Sequence, residues 1–176
     1  MIIVDAKSAY YQSDALRHAD GSPQVMRPPP DVEPPTVLWA LLKAMPGTRT
    51  ASRSWQDHQC AVYQEKGEFE RCPMDPCFYL QREFGVRTEV HGDDACNVAN
   101  RERRNWICTF YLDNFICEIR YVIGLGPDMV QEGLFLKRAI YVGSQGWAYE
   151  GDTKHCTNLL NMHGLGAKQS KGAPTP

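Results

Sequence analysis

The residues of this sequence with the clearest chemical potential are two adjacent aspartates, Asp93 and Asp94, which follow Gly92. They lie between two runs that favour extended structure, Val86–Val90 and Ala95–Ala99. Gly and Asp tolerate the positive φ that a tight hairpin turn demands, so this pattern predicts a turn between two strands. Neighbouring carboxylates on such a turn suit a divalent cation, although Gly-Asp-Asp also forms ordinary solvated turns. The rest of the chain has to decide between these two interpretations.

Other residues with possible chemistry lie earlier in the chain. Asp5 follows the β-branched run Ile2–Val4, which is typical of a buried strand. Taken alone, Asp5 is equally well a strand-end or capping carboxylate, and Tyr10 a core aromatic residue. Arg49 and Arg53 lie near the predicted start of a helix, where cations oppose the helix dipole. That placement indicates either an anionic partner or a solvated helix end.

The composition limits the classes of function. The chain has 176 residues, is 43% hydrophobic and carries a net charge of −2. These values favour a packed globular domain without a strongly basic surface, so a nucleic-acid function would depend on a local site. The seven cysteines include no Cys-x-x-Cys spacing, which disfavours a zinc knuckle and indicates reduced intracellular thiols. Without a charged leader or a long apolar run, we expect a soluble intracellular protein, cytoplasmic or nuclear, with no membrane partner.

The order of the predicted elements is that of an α+β fold, a mostly antiparallel sheet covered by helices on one face. The first part of the chain is predicted to form a strand ending near Asp5, a short strand at 24–27, a proline-rich surface loop at 28–35 and a buried apolar segment at 37–45. The middle part is predicted to form a helix from Thr50 or Ser52 to about Lys66 with Gly67 as its stop, strands at 78–82, 86–91 and 95–99, and a helix at 101–121. The last part is predicted to form a hairpin of 134–142 with 146–150, a helix capped by Asp152 and running to His163, and a flexible tail at 168–176. We find no internal repeat, no phosphate-binding glycine loop and no nucleophile elbow in the sequence.

Several separate segments match one known order of motifs. They are Asp5-Ala6-Lys7-Ser8-Ala9-Tyr10, the segment Leu-Lys-Ala-Met-Pro-Gly-Thr-Arg-Thr-Ala-Ser-Arg-Ser-Trp at 42–55, Asp75-Pro76-Cys77-Phe78-Tyr79, His91-Gly92-Asp93-Asp94, Leu134-Phe135-Leu136 and Thr175-Pro176. These segments resemble Asp-Val-Lys-x-Ala-Phe, Leu-Lys-Ala-Leu-Tyr-Gly-Leu-Lys-Gln-Ala-Pro-Arg-x-Trp, Asp-Pro-Cys-Leu-Tyr, Tyr-Val-Asp-Asp, Phe-Leu-Gly and a Thr-Pro boundary in the reverse transcriptases of copia-type retrotransposons. The similarity runs nearly the full length of the chain, which makes it far more specific than any single motif.

The resemblance implies a partial RNA-directed DNA polymerase domain, a nucleotidyltransferase, over residues 1–176. A palm-like sheet with a fingers remnant would occupy 1–150, and the start of a thumb with the flexible tail would occupy 151–176. The implied partners are an RNA or DNA template-primer and a deoxynucleoside triphosphate. The family also implies the remainder of a Pol polyprotein, with ribonuclease H and integrase, which this sequence does not contain.

The resemblance also assigns the site. Asp5, Asp93 and Asp94 would be the catalytic residues and would bind two magnesium ions for template-directed DNA synthesis. Such ions activate the primer hydroxyl and stabilise the leaving pyrophosphate, which requires carboxylates that converge from different strands. The substrate-binding residues would be Tyr10, against the nucleotide sugar, together with Gly47, Arg49 and Arg53 near the template and nucleotide.

Departures from the family's motifs disfavour activity. His91 replaces a tyrosine, Ala95 a bulky apolar residue, Pro46 a tyrosine and Ser52 a proline, and Glu89 adds a charge to a strand that is normally apolar. The sequence starts at the family's first catalytic motif, so the basic fingers residues that precede it there are missing. Three hypotheses therefore stay open: a polymerase domain, a non-catalytic retrotransposon remnant, which we expect of the isolated chain, or an unrelated α+β binding module.

Overall fold

The computed structural model describes residues 1–151 and 153–165, and within them the chain forms two compact units. The first unit spans Met1–Val122 and the second begins at Ile123. Both contain antiparallel sheets and helices, which confirms the predicted α+β class. The predicted cap Asp152, the tail at 168–176 and the Thr175-Pro176 segment lie outside the described residues.

The first unit is built on a six-stranded antiparallel sheet with the strand order β4-β5-β6-β7-β1-β8. Its elements in chain order are β1 (Ile2–Ala6), α1 (Ala9–Gln12), β2 (Val25–Met26), β3 (Trp39–Ala40), α2 (Ala51–Gly67), β4 (Glu70–Arg71), β5 (Phe78–Gln81), β6 (Val86–His91), β7 (Asp94–Val98), a 3₁₀ turn (Arg101–Arg103), α3 (Arg104–Asn114) and β8 (Cys117–Val122). Strands β2 and β3 pair only with each other, as a two-stranded ribbon.

Strand β1 lies between β7 and β8, and all five of its residues are buried. Because side chains alternate along a strand, Ile2, Val4 and Ala6 share one face, and all three belong to the hydrophobic core. Helices α2 and α3 supply the other side of this core, which includes Trp55 and Tyr63 from α2 and Ile107, Phe110 and Tyr111 from α3. Asp5 therefore lies on the face of the sheet opposite these helices.

Polar side chains cross the core between the helices and the sheet. The hydroxyls of Tyr63 and Tyr111 are 2.7 Å apart, and Tyr111 donates to the side-chain oxygen of Asn97. Asn97 also accepts a hydrogen bond from Thr88 and donates to the carbonyl of Ile2. Because each of these four buried side chains, Tyr63, Thr88, Asn97 and Tyr111, has a hydrogen-bond partner, the network fixes α2 and α3 against β1, β6 and β7 at low cost.

Helix α2 confirms the predicted helix from Thr50 or Ser52 to about Lys66, but its ends are fixed differently from the expected capping by Thr50 or Ser52 and stop at Gly67. The Thr50 hydroxyl donates to Gln24 instead of capping the helix. The left-handed residue after the helix is Glu68, with φ of 54°, and Gly67 itself is helical. Gly67 is required by packing, because a Cβ atom there would lie 2.6 Å from the ring of Phe69.

Two predictions for the first unit are wrong. The segment 37–45 is mostly exposed, with Leu42 at 83% exposure, because it pairs with the short ribbon strand β2 and through a single bridge from Lys43 to Asp14 instead of joining the six-stranded sheet. The predicted helix at 101–121 ends at Asn114, and Cys117–Val122 is a strand instead. These residues alternate around Ile119, so they can pair with β1, and this pairing outweighs the helical spacing of the preceding apolar residues.

The second unit is a three-stranded antiparallel meander followed by a helix, comprising β9 (Glu132–Phe135), β10 (Arg138–Gly143), β11 (Gly146–Glu150) and α4 (Thr153–Met162). The predicted hairpin at Ser144-Gln145 is confirmed. The single strand predicted at 134–142 is wrong, because Leu136 and Lys137 form a second turn, with φ of 51° and 64°. Positive φ at both central residues is the type I′ pattern, which normally requires Asn or Gly, so the sequence carried no turn signal there.

Candidate acidic site

The Gly92-Asp93 turn joins β6 to β7 and is fixed on two sides. His91 pairs with Asp94 across the ladder, which leaves a two-residue loop, and Gly92 supplies the positive φ of 65°. The indole nitrogen of Trp55 donates to the Gly92 carbonyl at 2.7 Å. The amide of Ala6, at the end of β1, donates to the Asp93 carbonyl at 2.8 Å. The predicted hairpin is therefore present, and its turn is attached to both α2 and β1.

The strand register aligns titratable residues in one row across four strands. Asp5 is paired with Asp94 on β7 and with Glu118 on β8, and Asp94 is paired in turn with His91 on β6. Paired residues of antiparallel strands point to the same face, with Cβ atoms about 5 Å apart. We call these four residues the acidic row. It brings Asp5 and Asp94 together and leaves Asp93 at the adjoining turn.

Asp5 is neutralised by two cations. Its Oδ2 atom lies 2.6 Å from Lys7 Nζ and 3.0 Å from an Arg120 guanidinium nitrogen, and the Asp5 residue is 7% exposed. Burial acts to raise the pKa of Asp5, but the hydrogen bonds from Lys7 and Arg120 outweigh it and hold the pKa below its ordinary value. Lys7 also contacts Glu118 at 2.7 Å. The carboxylate of Asp5 is therefore charged and already paired.

Asp94 has the opposite electrostatic environment. Partial burial raises the pKa of Asp94, and the nearby charges of Asp93 and Asp5 raise it further, with partial relief from Arg120. Within residues 1–151 and 153–165, no group donates a hydrogen bond to its carboxylate. A carboxylate held beside other carboxylates without a partner is an arrangement that occurs at functional sites more often than elsewhere.

The acidic row, as arranged, does not fit a pair of magnesium ions. Carboxylate oxygens are suitable ligands for Mg²⁺. However, no three His, Cys, Asp or Glu side chains of the described residues are grouped so that they could hold a metal ion. The carboxylate of Asp5 already binds Lys7 and Arg120 through its Oδ2 atom.

A cavity of about 190 Å³ adjoins the turn on the side of α1. Its lining includes Tyr10, Pro46, Trp55 and Asp93, and we call it the Tyr10 cavity. The Tyr10 hydroxyl lies 3.4 Å from the Ser52 hydroxyl at the start of α2. Two of the predicted site residues, Tyr10 and Asp93, therefore face one space.

The other predicted substrate-binding residues lie outside this lining. Gly47 directly follows Pro46 and has φ of 87°, as a tight turn requires. Arg49 and Arg53 are exposed, and Arg53 lies 3.6 Å from Asp57 one helical turn further along α2. The geometry thus separates the predicted arginines from the Tyr10 cavity.

Sequence reasoning missed the cations Lys7 and Arg120 and their neighbour Glu118. Lys7 is two residues after Asp5, a spacing that returns a side chain to the same side of an extended chain. Glu118 and Arg120 alternate with Cys117, Ile119 and Tyr121. If that alternation is interpreted as a strand, it predicts charged side chains beside Asp5. The predicted helix at 101–121 did not place any charged side chain there.

Comparisons with protein-family models, with curated proteins and with solved structures find no match for this chain. Across the described ranges, none of the helices combines the length and the apolar character needed to span a bilayer. The functional interpretation therefore depends on the residues and distances given above.

Proposed function

We propose that this chain is a palm-like domain related to the reverse transcriptases of copia-type retrotransposons, and that by itself it does not catalyse DNA synthesis. The observation that carries the relationship is the register that pairs Asp5 with Asp94 beside the Asp93 turn. In the resemblance these three residues come from two motifs that are distant in the sequence, and their proximity in the fold supports the relationship.

The Tyr10 cavity adds independent support for this relationship. Tyr10 comes from the first motif, Pro46 from the second and Asp93 from the double-aspartate motif, and all three line the same space. We propose that this cavity accepts part of a deoxynucleoside triphosphate. The template-primer would then approach the exposed start of α2, where Arg49 and Arg53 are available for phosphate contacts.

The proposed lack of activity has a physical basis in the acidic row. Two-metal catalysis needs several carboxylates free to coordinate, and Asp5 is engaged by Lys7 and Arg120. The net charge of −2 also gives little general attraction for a polyanionic template. We therefore describe the chain as a palm-like domain in which Asp5 is held in an ion-pair network with Lys7, Arg120 and Glu118.

The experiment that tests activity is primer extension on a poly-ribonucleotide template in the presence of magnesium. We expect no extension by the purified, folded chain. An Asp93→Asn variant is the control, because extension by the wild type that disappears in this variant would identify genuine catalysis and contradict the proposed inactivity.

The relationship to polymerases is tested separately by nucleotide binding. A deoxynucleoside triphosphate should shift the NMR amide signals of residues around the Tyr10 cavity, and Tyr10→Ala should abolish the shifts. Tyr149→Ala, which removes an exposed tyrosine in the second unit, is the matched control and should leave them unchanged. If the wild type shows no shifts at the cavity, the chain is better described as an unrelated α+β module.

A further inference from the structure

A second cleft, of about 300 Å³, lies on the first unit and shares no lining residue with the Tyr10 cavity. Helix α2 contributes Gln56 and Gln59 to its wall, β4 contributes Arg71, β5 contributes Tyr79, and the end of β6 contributes His91. We call it the Gln59 cleft. Its volume is at the lower end of the range for small-molecule sites, which also combine an apolar wall with a few convergent polar groups.

The side chain of Gln59 is without a hydrogen-bond partner among residues 1–151 and 153–165, although the residue is only 3% exposed. Its side chain takes part in no hydrogen bond with any described residue. Every fully enclosed polar side-chain atom in the described chain does have a partner, so the amide atoms of Gln59 must retain access to the cleft that they line. A buried amide without partners costs free energy unless something satisfies it. Water that enters the cleft can pair with the Gln59 amide, and a ligand that displaces this water can take over the same hydrogen bonds.

Arg71 is held in position at the same cleft. Its Nε atom donates to the carbonyl of Pro76 at 2.8 Å, and its guanidinium carbon lies 5.8 Å from the centre of the Tyr79 ring. These contacts orient the group but leave its terminal amino groups without a partner among the described residues. A guanidinium fixed at one edge presents a rigid pair of donors, which matches a carboxylate or phosphate.

The remaining lining residues agree with an anionic ligand. Gln56 is a second carboxamide in the wall, and it also comes from α2. None of the described residues that line the cleft carries a carboxylate. An anion entering the cleft would therefore meet hydrogen-bond donors and one fixed cation, without a like charge in the wall.

We propose that the Gln59 cleft binds a small organic oxyanion, whose carboxylate or phosphate is held by Arg71 while Gln59 pairs with a neighbouring hydrogen-bonding group of the same molecule. The proposal does not depend on the relationship to polymerases, because it uses a different cavity. Carboxylate and phosphate share the chemistry that Arg71 recognises, and the probes below distinguish them.

The test is an NMR titration of the full chain with two probes, N-acetylglycine for the carboxylate and ribose 5-phosphate for the phosphate. At least one probe should shift the side-chain amide signals of Gln59 and the Nε signal of Arg71. Arg71→Met and Gln59→Leu should each weaken binding of that probe by about tenfold or more, because each removes a hydrogen bond at the ligand.

Matched control variants distinguish specific binding by Gln59 and Arg71 from the general effect of losing a glutamine or a positive charge elsewhere on the first unit. Gln64→Leu makes the same change at an exposed position of α2, and Arg87→Met removes one exposed positive charge outside the lining, so both should bind the probe as the wild type does. If Gln59→Leu does not fold, Arg71→Met and Gln56→Leu decide the result. The proposal is overturned if neither probe shifts these signals, or if Arg71→Met binds as tightly as Arg87→Met.

Discussion

Replacing Asp94 with asparagine should stabilise the first unit at neutral pH. Asp94 is partly buried beside the charges of Asp93 and Asp5, and the pKa of Asp94 is accordingly raised. A carboxyl group whose pKa is higher in the folded state is favoured by folding only while it is protonated. Its contribution is therefore present below the unfolded-state pKa and is lost as the pH rises through the folded-state value.

The size of the effect follows from the strand register. Asp94 and Asp5 are directly paired, and like charges at such positions destabilise a sheet by up to about 1 kcal/mol. The pairing of Asp5 with Lys7 and Arg120 reduces this repulsion, whereas Asp93 and partial burial add to it. Asparagine keeps nearly the same shape, so we expect Asp94→Asn to increase the free energy of unfolding by about 1 kcal/mol at pH 7.

The assay is urea denaturation of the wild type and Asp94→Asn at several pH values, followed by intrinsic tryptophan fluorescence, to which the buried Trp55 contributes. The gain should be largest at neutral pH and should vanish at low pH, where Asp94 is protonated in both states. Asp31→Asn removes an acid from an exposed loop and serves as the control, with no change expected. A loss of stability in Asp94→Asn at pH 7, or a gain that persists at low pH, would refute the electrostatic reasoning.

Three further predictions concern residues whose roles the structure explains. Asp5→Asn should lower the free energy of unfolding by about 2 kcal/mol at pH 7, because it leaves Lys7 and Arg120 without their shared anion. Since the pKa of Asp5 is lowered in the folded state, the wild type should lose this stability in an acid titration as the pH falls through that pKa. Lys137→Gly should stabilise the second unit by about 1 kcal/mol in denaturation followed by circular dichroism, because it relieves a φ of 64°, whereas Lys137→Ala should not. Gly67→Ala should lower the melting temperature, with a cost of about 1–3 kcal/mol, because the added methyl would meet a phenylalanine ring at 2.6 Å, although the same change in an open helix is stabilising.

The parts of the fold that the sequence predicts best are those fixed by local rules. The β-branched run of β1, the hairpin at Gly92-Asp93 and the approximate bounds of α2 each depend on a few adjacent residues, and all are found in the structure, although the predicted capping by Thr50 and Gly67 is not. The strand β8 was missed because its identity depends on a distant partner, β1, and not on its own propensity. The turn at Leu136-Lys137 was missed because its backbone is imposed on residues that disfavour it.

In the candidate site, too, the sequence predicts what short motifs determine and misses what depends on distant strands. Asp5, Asp93 and Asp94 could be selected from the sequence because their motifs are recognisable, and the register brings the first and the last of them side by side. The charge state of Asp5 could not be predicted, because it depends on Arg120, which lies on the strand that the helical spacing concealed. Gln59 carried no signal either, since an amide in a helix becomes informative only when its burial and lack of partners are known.

Stability of the fold and binding of a metal ion place conflicting requirements on Asp5 in the acidic row. The fold is stabilised when Lys7 and Arg120 neutralise Asp5, because a buried carboxylate without partners would be costly. A divalent cation would require the same carboxylate to exchange those partners for the metal, at a row where Asp94 is already strained by like charge. The cations that stabilise β1 therefore compete with a metal ion for the Asp5 carboxylate, so removing Lys7 or Arg120 would make that carboxylate more available to a metal while destabilising the fold.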